Sequence, residues 1–132
     1  YEVLGGNPND ESQWQPTLEN HVQLFGRPPT QASADRGVHS ADNEAFAAEL
    51  GVKRIVLPKP GRKSETRRQY ERQRWFWRGR RFHAGVEGRI SVIKRKHGLD
   101  RCRNRGQEGF QCWVGWGVIA NNLIAMGKGL SP

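Results

Sequence analysis

The sequence predicts an α/β fold whose C-terminal half is helical. Two short segments have strand character: residues 30–34 are small residues that lead to an aspartate, and residues 53–57 (KRIVL) are rich in β-branched side chains. A segment of helical length separates them. Strands that alternate with helices are expected to form a layered domain with at least one parallel pair. With 132 residues, 35% of them hydrophobic, the chain fits one domain with a modest core.

The N-terminal elements are bounded by turn and capping residues. Residues 1–4 are expected to end a strand, and GNPND at residues 6–10 is expected to form a turn. Asp10 or Ser12 is expected to cap a first helix, which ends at Gly26. The helical spacing of its apolar residues predicts one buried stripe, which consists of Trp14, Leu18, Val22 and Phe25.

Helices are expected through the rest of the chain. Ser40 is a good cap for the next one, and Ser64 or Thr66 for the Arg-rich region that follows the second strand. Gly79 is expected to break or bend that region, because glycine is a poor helix former. The predicted helices cover residues 41–50, about 64–77, about 80–97 and 107–126.

Positive charge is concentrated in one block. Residues 53–105 contain 19 Lys and Arg against four Asp and Glu, whereas residues 1–52 carry a net charge of −6. Such a block attracts phosphate backbones, and the aromatic side chains within it can stack on bases or pack beneath them: Tyr70, Trp75, Phe76 and Trp77. The chain is accordingly divided into a β/α segment, a basic helical region and a C-terminal helix: residues 1–58, 59–106 and 107–132.

The composition argues against several classes of protein. No run of 18 apolar residues is present, so no membrane span is expected, and the first residues lack the pattern of a signal peptide. Cys102 and Cys112 are too few for a disulfide framework, and their spacing fits no zinc site. We therefore expect a cytoplasmic protein with free thiols. Because the sequence opens at Tyr1, we also expect it to be a fragment.

An aspartate follows the first of the two short strands, in ADRG at residues 34–37. Functional groups collect at the carboxyl ends of strands in open α/β sheets, so Asp35 is a candidate metal ligand. Aspartate is also common in turns and caps, and this structural interpretation is the favoured one when Asp35 is taken alone.

A second candidate carboxylate lies in the helix RRFHAGVEGRISVIKRKHG at residues 80–98. Steps of three or four residues place a polar set on one face: Arg80, His83, Glu87, Ser91 and Lys94. Apolar residues form the neighbouring face, which is expected to pack against the sheet: Phe82, Val86, Ile90 and Ile93. Two glycines close to Glu87 weaken the helix, which indicates that something approaches its backbone. The alternative is a surface glutamate paired with basic neighbours.

This helix resembles the signature of bacterial DDE insertion-sequence transposases, in which Tyr, Arg, Glu and Lys follow one another with two, three and six residues between them. Glu87 and Lys94 match with six residues between them, whereas Arg80 replaces the Tyr and His83 replaces the Arg. ADRG, with Asn43 beyond it, resembles the segment around the second Asp of that family. GNPND and EGRISVIKRKHGLDRC at residues 87–102 resemble a subgroup, so the resemblance extends over nearly the whole chain.

The resemblance implies an RNase H-like fold, here partial, with a mixed central sheet flanked by helices. In such enzymes three carboxylates hold two Mg²⁺ ions, with Mn²⁺ as an alternative, for cleavage and joining of DNA strands. Asp35 would be the second carboxylate and Glu87 the third. Lys94 would contact DNA near the cleavage point, with weaker or more general DNA contacts from His83, Arg80, Arg89, Arg95, Lys96, Trp75 and Trp77.

The resemblance also implies binding partners and the absence of one catalytic carboxylate. The partners would be double-stranded DNA, as transposon ends and target, and further copies of the chain in a homo-oligomer on DNA at the nucleoid. The first carboxylate of the family is missing, since Asp10 is interpreted as a helix cap, so the fragment is expected not to cleave DNA although its parent is a polynucleotidyl transferase. The alternatives are a non-catalytic nucleic-acid-binding remnant and a basic component of a ribonucleoprotein.

Overall fold

The structure, a computed structural model, describes residues 8–130, without the side chains of Glu87 and Leu130. The predicted strand at residues 1–4 and the beginning of the GNPND turn lie outside these residues. The described chain forms two compact units, residues 8–85 and residues 86–130, which we describe separately. Its elements are α1 (Trp14–Phe25), β1 (Gln31–Ser33), α2 (Ala41–Glu49), β2 (Arg54–Val56), α3 (Glu65–Arg72), α4 (Arg74–Lys96) and α5 (Gly106–Leu130).

The sheet of the first unit is a parallel pair. Gln31 is in register with Arg54, and Ser33 with Val56. Beyond the ends of the strands, the pairing continues where the amide of Ala34 donates to the carbonyl of Val56 at 3.2 Å. The α/β class and the parallel pair are therefore confirmed. The mixed sheet is not found within the described residues, whose sheet consists of β1 and β2.

Helix α1 begins differently from the prediction. The segment Asp10–Gln13 is a 3-10 helix that Asn9 caps, because the side chain of Asn9 accepts a hydrogen bond from the amide of Glu11 at 3.2 Å. The expected capping by Asp10 or Ser12 was therefore wrong. The C-terminal end was predicted correctly: Gly26 has a left-handed φ of 67°, and its amide donates to the carbonyl of Val22.

The core of the first unit lies where α1 and α2 pack on the two strands. Trp14 and Leu18 are buried, whereas Phe25, the last residue of the predicted stripe, is 65% exposed. The other buried hydrophobic members of this cluster are Ala32, Val38, Ala47, Val52, Ile55 and Leu57. Ser40 caps α2 as predicted, since its hydroxyl accepts from the amide of Asn43 at 3.2 Å.

The basic helical region breaks at Gln73 and not at Gly79. Ser64 caps α3, and Gln73 adopts an extended backbone (ψ 140°) that separates α3 from α4. Gly79 lies inside α4 and is buried. A Cβ atom added there would lie 2.6 Å from Cγ2 of Val56, so the missing side chain is what lets α4 approach β2. Phe76, three residues earlier, is fully buried.

An ion-pair network fixes α3 beside the second strand. The guanidinium of Arg67 contacts Glu44 at 2.7 Å and Glu71 at 2.9 Å, and it also donates to the carbonyl of Leu57. Glu71, with a side chain 8% exposed, additionally pairs with Lys63 and accepts from the amide of Lys59 at 2.9 Å. The network therefore joins α2, α3 and the loop after β2.

The second unit contains the last part of α4 and helix α5. Leu99, in the connector between them, packs against the backbone of Gly117, where an added Cβ would overlap with Cδ1 of Leu99. Cys102 and Cys112 are free, as expected. Several large hydrophobic side chains of α5 remain exposed, among them Trp116 at 70% and Leu123 at 62%.

The predicted burial of the apolar face of α4 was wrong. Phe82 is 68% exposed, Val86 38% and Ile90 48%. Helical spacing identified these residues as one face correctly. Spacing alone could not show whether a neighbouring element covers that face, and in the structure α4 instead buries Phe76 and Gly79 near its beginning.

Candidate metal centre and nucleic-acid surface

Asp35 lies just beyond the carboxyl end of β1, as predicted, and its side chain is exposed. Its Oδ1 accepts a hydrogen bond from the amide of Gly37 at 2.9 Å and so caps the short 3-10 helix Arg36–Val38. Among the described residues no donor binds Oδ2. Asp35 thus has the structural role that its position in a turn indicated, and it keeps one oxygen for another ligand.

The carboxylate of Asp10 lies close to that of Asp35. Oδ1 of Asp35 lies 3.3 Å and Oδ2 of Asp10 lies 4.0 Å from the point where a Cβ of residue 37 would stand, so the two oxygens are at most 7.3 Å apart. Glycine at position 37 leaves the space between them free. Sequence reasoning missed this proximity because it assigned Asp10 to a cap, although GNPND had been singled out as a motif.

A buried asparagine holds this region together. Asn43 is 4% exposed, and its Nδ2 donates to the carbonyls of Glu11 and Val38, each at 2.9 Å. The backbone carbonyl of Asn43 accepts a hydrogen bond from the indole nitrogen of Trp14 at 3.0 Å. Asn43 therefore links α1, α2 and the two 3-10 segments that carry Asp10 and the turn after Asp35. The sequence indicated Asn43 only as part of the resemblance.

The acidic groups of the first unit offer oxygen ligands of the kind that Mg²⁺ and Mn²⁺ accept. The described side chains nevertheless contain no group of three His, Cys, Asp or Glu that could hold a metal ion, and the side chain of Glu87 is not among them. Asp35 belongs to the first unit and Glu87 to the second. Whether their carboxylates meet over a metal ion therefore remains a prediction.

Glu87 lies inside α4, as the sequence predicted for a helical motif. Lys94, seven residues later, is exposed, as is Arg80 seven residues before Glu87, and His83 is partly buried. The spacing of about 3.6 residues per turn places these residues on one side of the helix. Cβ atoms added at Gly85 or Gly88 would meet no described atom within 4 Å, so the backbone next to Glu87 is open to an approaching group.

The two tryptophans proposed to contact DNA have different surroundings. Trp75 is partly buried in an aromatic cluster and makes edge contacts with Tyr70 and Phe76, with ring centroids 5.4 and 5.6 Å apart. Trp77 is 53% exposed, and the guanidinium of Arg81 lies 4.8 Å from the centre of its ring. Trp77 is thus available for stacking on a base, whereas Trp75 mainly packs beneath the surface.

The remaining basic candidates on α4 are exposed. Arg95 donates to the hydroxyl of Ser91 at 2.6 Å, and Arg89 and Lys96 contact no described carboxylate within 4.0 Å. Together with Arg80 and Lys94 they make the surface of this helix strongly positive. An α/β protein with such a basic helix belongs to a class that is suited to binding polyanions.

Comparison with known families defines the protein further. The chain matches the family described as Transposase DDE domain over residues 47–126. This stretch is more than half of the 132 residues, so the chain belongs to that transposase family. Neither the curated proteins nor the solved structures gave a match. The matched stretch contains Glu87 and Lys94, whereas Asp35 precedes it.

Family membership confirms the resemblance seen in the sequence and connects the chain to transposition, for which DNA is the substrate. It also disfavours the alternative that the chain is a basic component of a ribonucleoprotein. None of the helices in the described residues combines the length and the apolar character needed to cross a bilayer.

Proposed function

We propose that this chain contributes to DNA transposition by metal-dependent phosphoryl transfer, the cleavage and joining of strands at the ends of an insertion sequence. The observation that carries the proposal is the match to the transposase DDE domain over the stretch that contains Glu87. The position of Asp35 beyond a parallel strand supports it, because ligands of α/β proteins bind at the carboxyl ends of strands.

In this proposal the complete catalytic domain has an RNase H-like fold. Asp35 supplies the second carboxylate through Oδ2, the oxygen that the Gly37 turn leaves free, and Glu87 supplies the third. The bound Mg²⁺ ions, or Mn²⁺, would activate the attacking oxygen and stabilise the leaving one. Asn43 acts as a positioning residue, since its hydrogen bond to Val38 fixes the turn that holds Asp35.

Basic side chains of α4 hold the DNA next to these carboxylates. Lys94 lies seven residues from Glu87 on the same side of the helix and would contact a phosphate close to the reacting bond. Arg80 and His83 extend this surface by two further turns, and the exposed ring of Trp77 offers a stacking surface. Transposon ends and target DNA are the proposed partners, bound by a homo-oligomer at the nucleoid.

The 132-residue chain is expected to bind DNA without cleaving it, because the proposal assigns it two of the three ligands, Asp35 and Glu87, and gives Asp10 no role as the third. The test is to incubate it with Mg²⁺ or Mn²⁺ and a duplex that ends in the terminal repeat. No nicking is expected. Efficient nicking by the unchanged chain that Glu87→Gln abolishes would contradict this expectation.

A metal titration tests the proposed ligands directly. Mn²⁺ binding, followed by calorimetry in the presence of the duplex, is expected to be weak and to be lost in Glu87→Gln. Asp42→Asn is the matched control, because Asp42 is an exposed carboxylate in the first turn of α2. If Glu87→Gln bound Mn²⁺ as well as Asp42→Asn did, Glu87 would not be a ligand.

The second candidate is a non-catalytic nucleic-acid-binding remnant. The hydrogen bond from the Gly37 amide favours it, because this contact gives Asp35 a structural reason to be present. This candidate predicts salt-dependent DNA binding that neither Glu87→Gln nor metal removal alters.

A further inference from the structure

A groove lies between the last part of α4 and helix α5, wholly within the second unit. It has a volume of about 580 Å³, within the range of pockets that bind small organic ligands. Each helix lines the groove with residues of one face. On α4 these are Arg89, Val92 and Lys96, which follow one another at steps of three and four residues. Residues Asn121, Ile124 and Lys128 of α5 form the facing wall at similar steps.

The charged residues of this groove are all basic. Arg89, Lys96 and Lys128 line it together with the imidazole of His97, and no aspartate or glutamate whose side chain is described does. None of the three permanent cations forms an ion pair with a carboxylate among the side chains that the structure describes. Three positive groups around one concave surface, with no acidic partner among the described side chains, make this surface attractive to an anion.

The interior of the groove is apolar, which a simple phosphate site would not require. Val92 and Ile124 line it and remain 37% and 48% exposed, so hydrophobic surface is left open between the cations. The amide of Asn121 adds one group that can both donate and accept hydrogen bonds. An anion with a flat, weakly polar body and hydrogen-bonding edges matches these three features together, and a nucleotide is such an anion.

The groove is separate from the surface assigned to the reaction. Lys96 is two residues from Lys94, and two helical steps of about 100° place it about 200° away, on the opposite side of α4. Duplex DNA bound at Lys94 would therefore not occupy the groove. A paired base is also shielded inside the duplex, whereas an unpaired one can lie on an apolar surface.

We propose that this groove binds an unpaired nucleotide of a DNA strand, with the base on Val92 and Ile124 and the phosphate between Arg89, Lys96 and Lys128. The inference rests on the proposed function, because the cleavage and joining of strands that it proposes would create strand ends next to the enzyme. It adds a second DNA-binding site to the chain and gives that site a preference for single strands.

The test compares binding of the 132-residue chain to a blunt duplex and to the same duplex with a three-nucleotide overhang, by fluorescence anisotropy. We expect the overhang to bind about fivefold more tightly, the lower end of the gain from one stacked base, because the lining is aliphatic. An overhang of abasic residues should lose this gain. Equal affinity for normal and abasic overhangs would mean that the groove binds the phosphate but not the base, and this would overturn the proposal.

Matched variants locate the effect. Ile124→Ser should remove the preference for the overhang, whereas Leu123→Ser, at the next exposed position and outside the groove, should keep it. Lys128→Gln should lower the slope of log K against log salt by about 0.7 for the single strand. Arg105→Gln removes the same charge from the exposed connector outside the groove and serves as its control.

The outcomes also separate this inference from the function on which it rests. If the overhang preference persisted in Ile124→Ser and Lys128→Gln, with helix content by circular dichroism unchanged, the groove would not be the site. Salt-dependent binding of the blunt duplex would then still support the proposed function. If the unchanged chain bound no DNA at all, both the groove proposal and the proposed function would be contradicted.

Discussion

Residue 79 of α4 lies so close to Val56 of β2 that a Cβ atom there would stand 2.6 Å from the Cγ2 of Val56. Val56 is fully buried, so its side chain cannot move aside into solvent without disturbing its neighbours. The packing of α4 on the sheet therefore depends on a glycine at position 79, although glycine weakens the helix itself.

Gly79→Ala is expected to lower the free energy of unfolding by up to about 2 kcal/mol, because an overpacking cost of about 1–3 kcal/mol outweighs the gain of about 1 kcal/mol in helix propensity. Urea denaturation followed by circular dichroism measures it. Gly85→Ala is the matched control in the same helix, since a Cβ there would meet no described atom within 4 Å. That variant should be neutral or slightly more stable; a Gly79→Ala protein that behaved in the same way would exclude the close packing.

The hydrogen bonds of Asn43 predict a large effect from a single substitution. Asn43→Ala removes the donors to Glu11 and Val38 and leaves a buried carbonyl of Val38 and a partly buried carbonyl of Glu11 without this partner. We expect it to cost about 2–4 kcal/mol, because each buried polar group without a partner costs about 1–3 kcal/mol. Thermal unfolding measures the loss. Asn20→Ala, on the exposed side of α1, should change stability little, and equal melting temperatures for the two variants would refute the role of Asn43.

The acid dependence of stability should depend in part on Glu71. Burial alone would raise the pKa of this carboxyl, but hydrogen bonds from Lys63, the amide of Lys59 and Arg67 outweigh burial and lower the pKa below its ordinary value of 4.5. A carboxyl with a lowered folded pKa stabilises the fold fully above its unfolded value, and this contribution disappears as the pH falls through the folded value. The chain should therefore lose stability below about pH 4.5.

Glu71→Gln tests this linkage. At pH 7 the variant should lose about 1.5–3 kcal/mol of stability, the typical contribution of a hydrogen bond to a charged group. Its melting temperature should also fall less than that of the unchanged chain between pH 7 and pH 3. Glu65→Gln is the control, because the pair of Glu65 with Arg68 at 3.2 Å is exposed and contributes little. Parallel pH profiles for all three proteins would show that Glu71 carries no such linkage.

Much of the first unit could be predicted from local signals. The β-branched segment before Pro58 became β2, and the serines at positions 40 and 64 cap helices, because a cap or a strand is determined by residues close in sequence. The candidate Asp35 was placed correctly after β1 for the same reason.

Features that depend on tertiary contacts could not be predicted in this way. Gly79 was interpreted as a helix breaker because propensity disfavours it, whereas packing against Val56 keeps it inside α4. The proximity of Asp10 to Asp35 arises from two turns that Asn43 holds together over a long stretch of sequence. The hydrophobic periodicity of a sequence does not predict such a contact, and a single sequence does not predict the burial of Asn43 either.

The two interpretations of Asp35, a turn residue and a metal ligand, can be separated by two substitutions. Asparagine at position 35 can still accept the hydrogen bond from the Gly37 amide, so Asp35→Asn should keep the stability of the unchanged chain, whereas Asp35→Ala should lose about 0.5–2 kcal/mol with the cap. If Asp35 also binds metal, both variants should lose Mn²⁺ binding in the presence of DNA, because the amide lacks the negative charge of the carboxylate. Thermal unfolding and calorimetric titration measure the two properties independently. Normal Mn²⁺ binding by Asp35→Asn would leave Asp35 as a turn residue alone, since the variant retains the contact with Gly37 and differs only in charge.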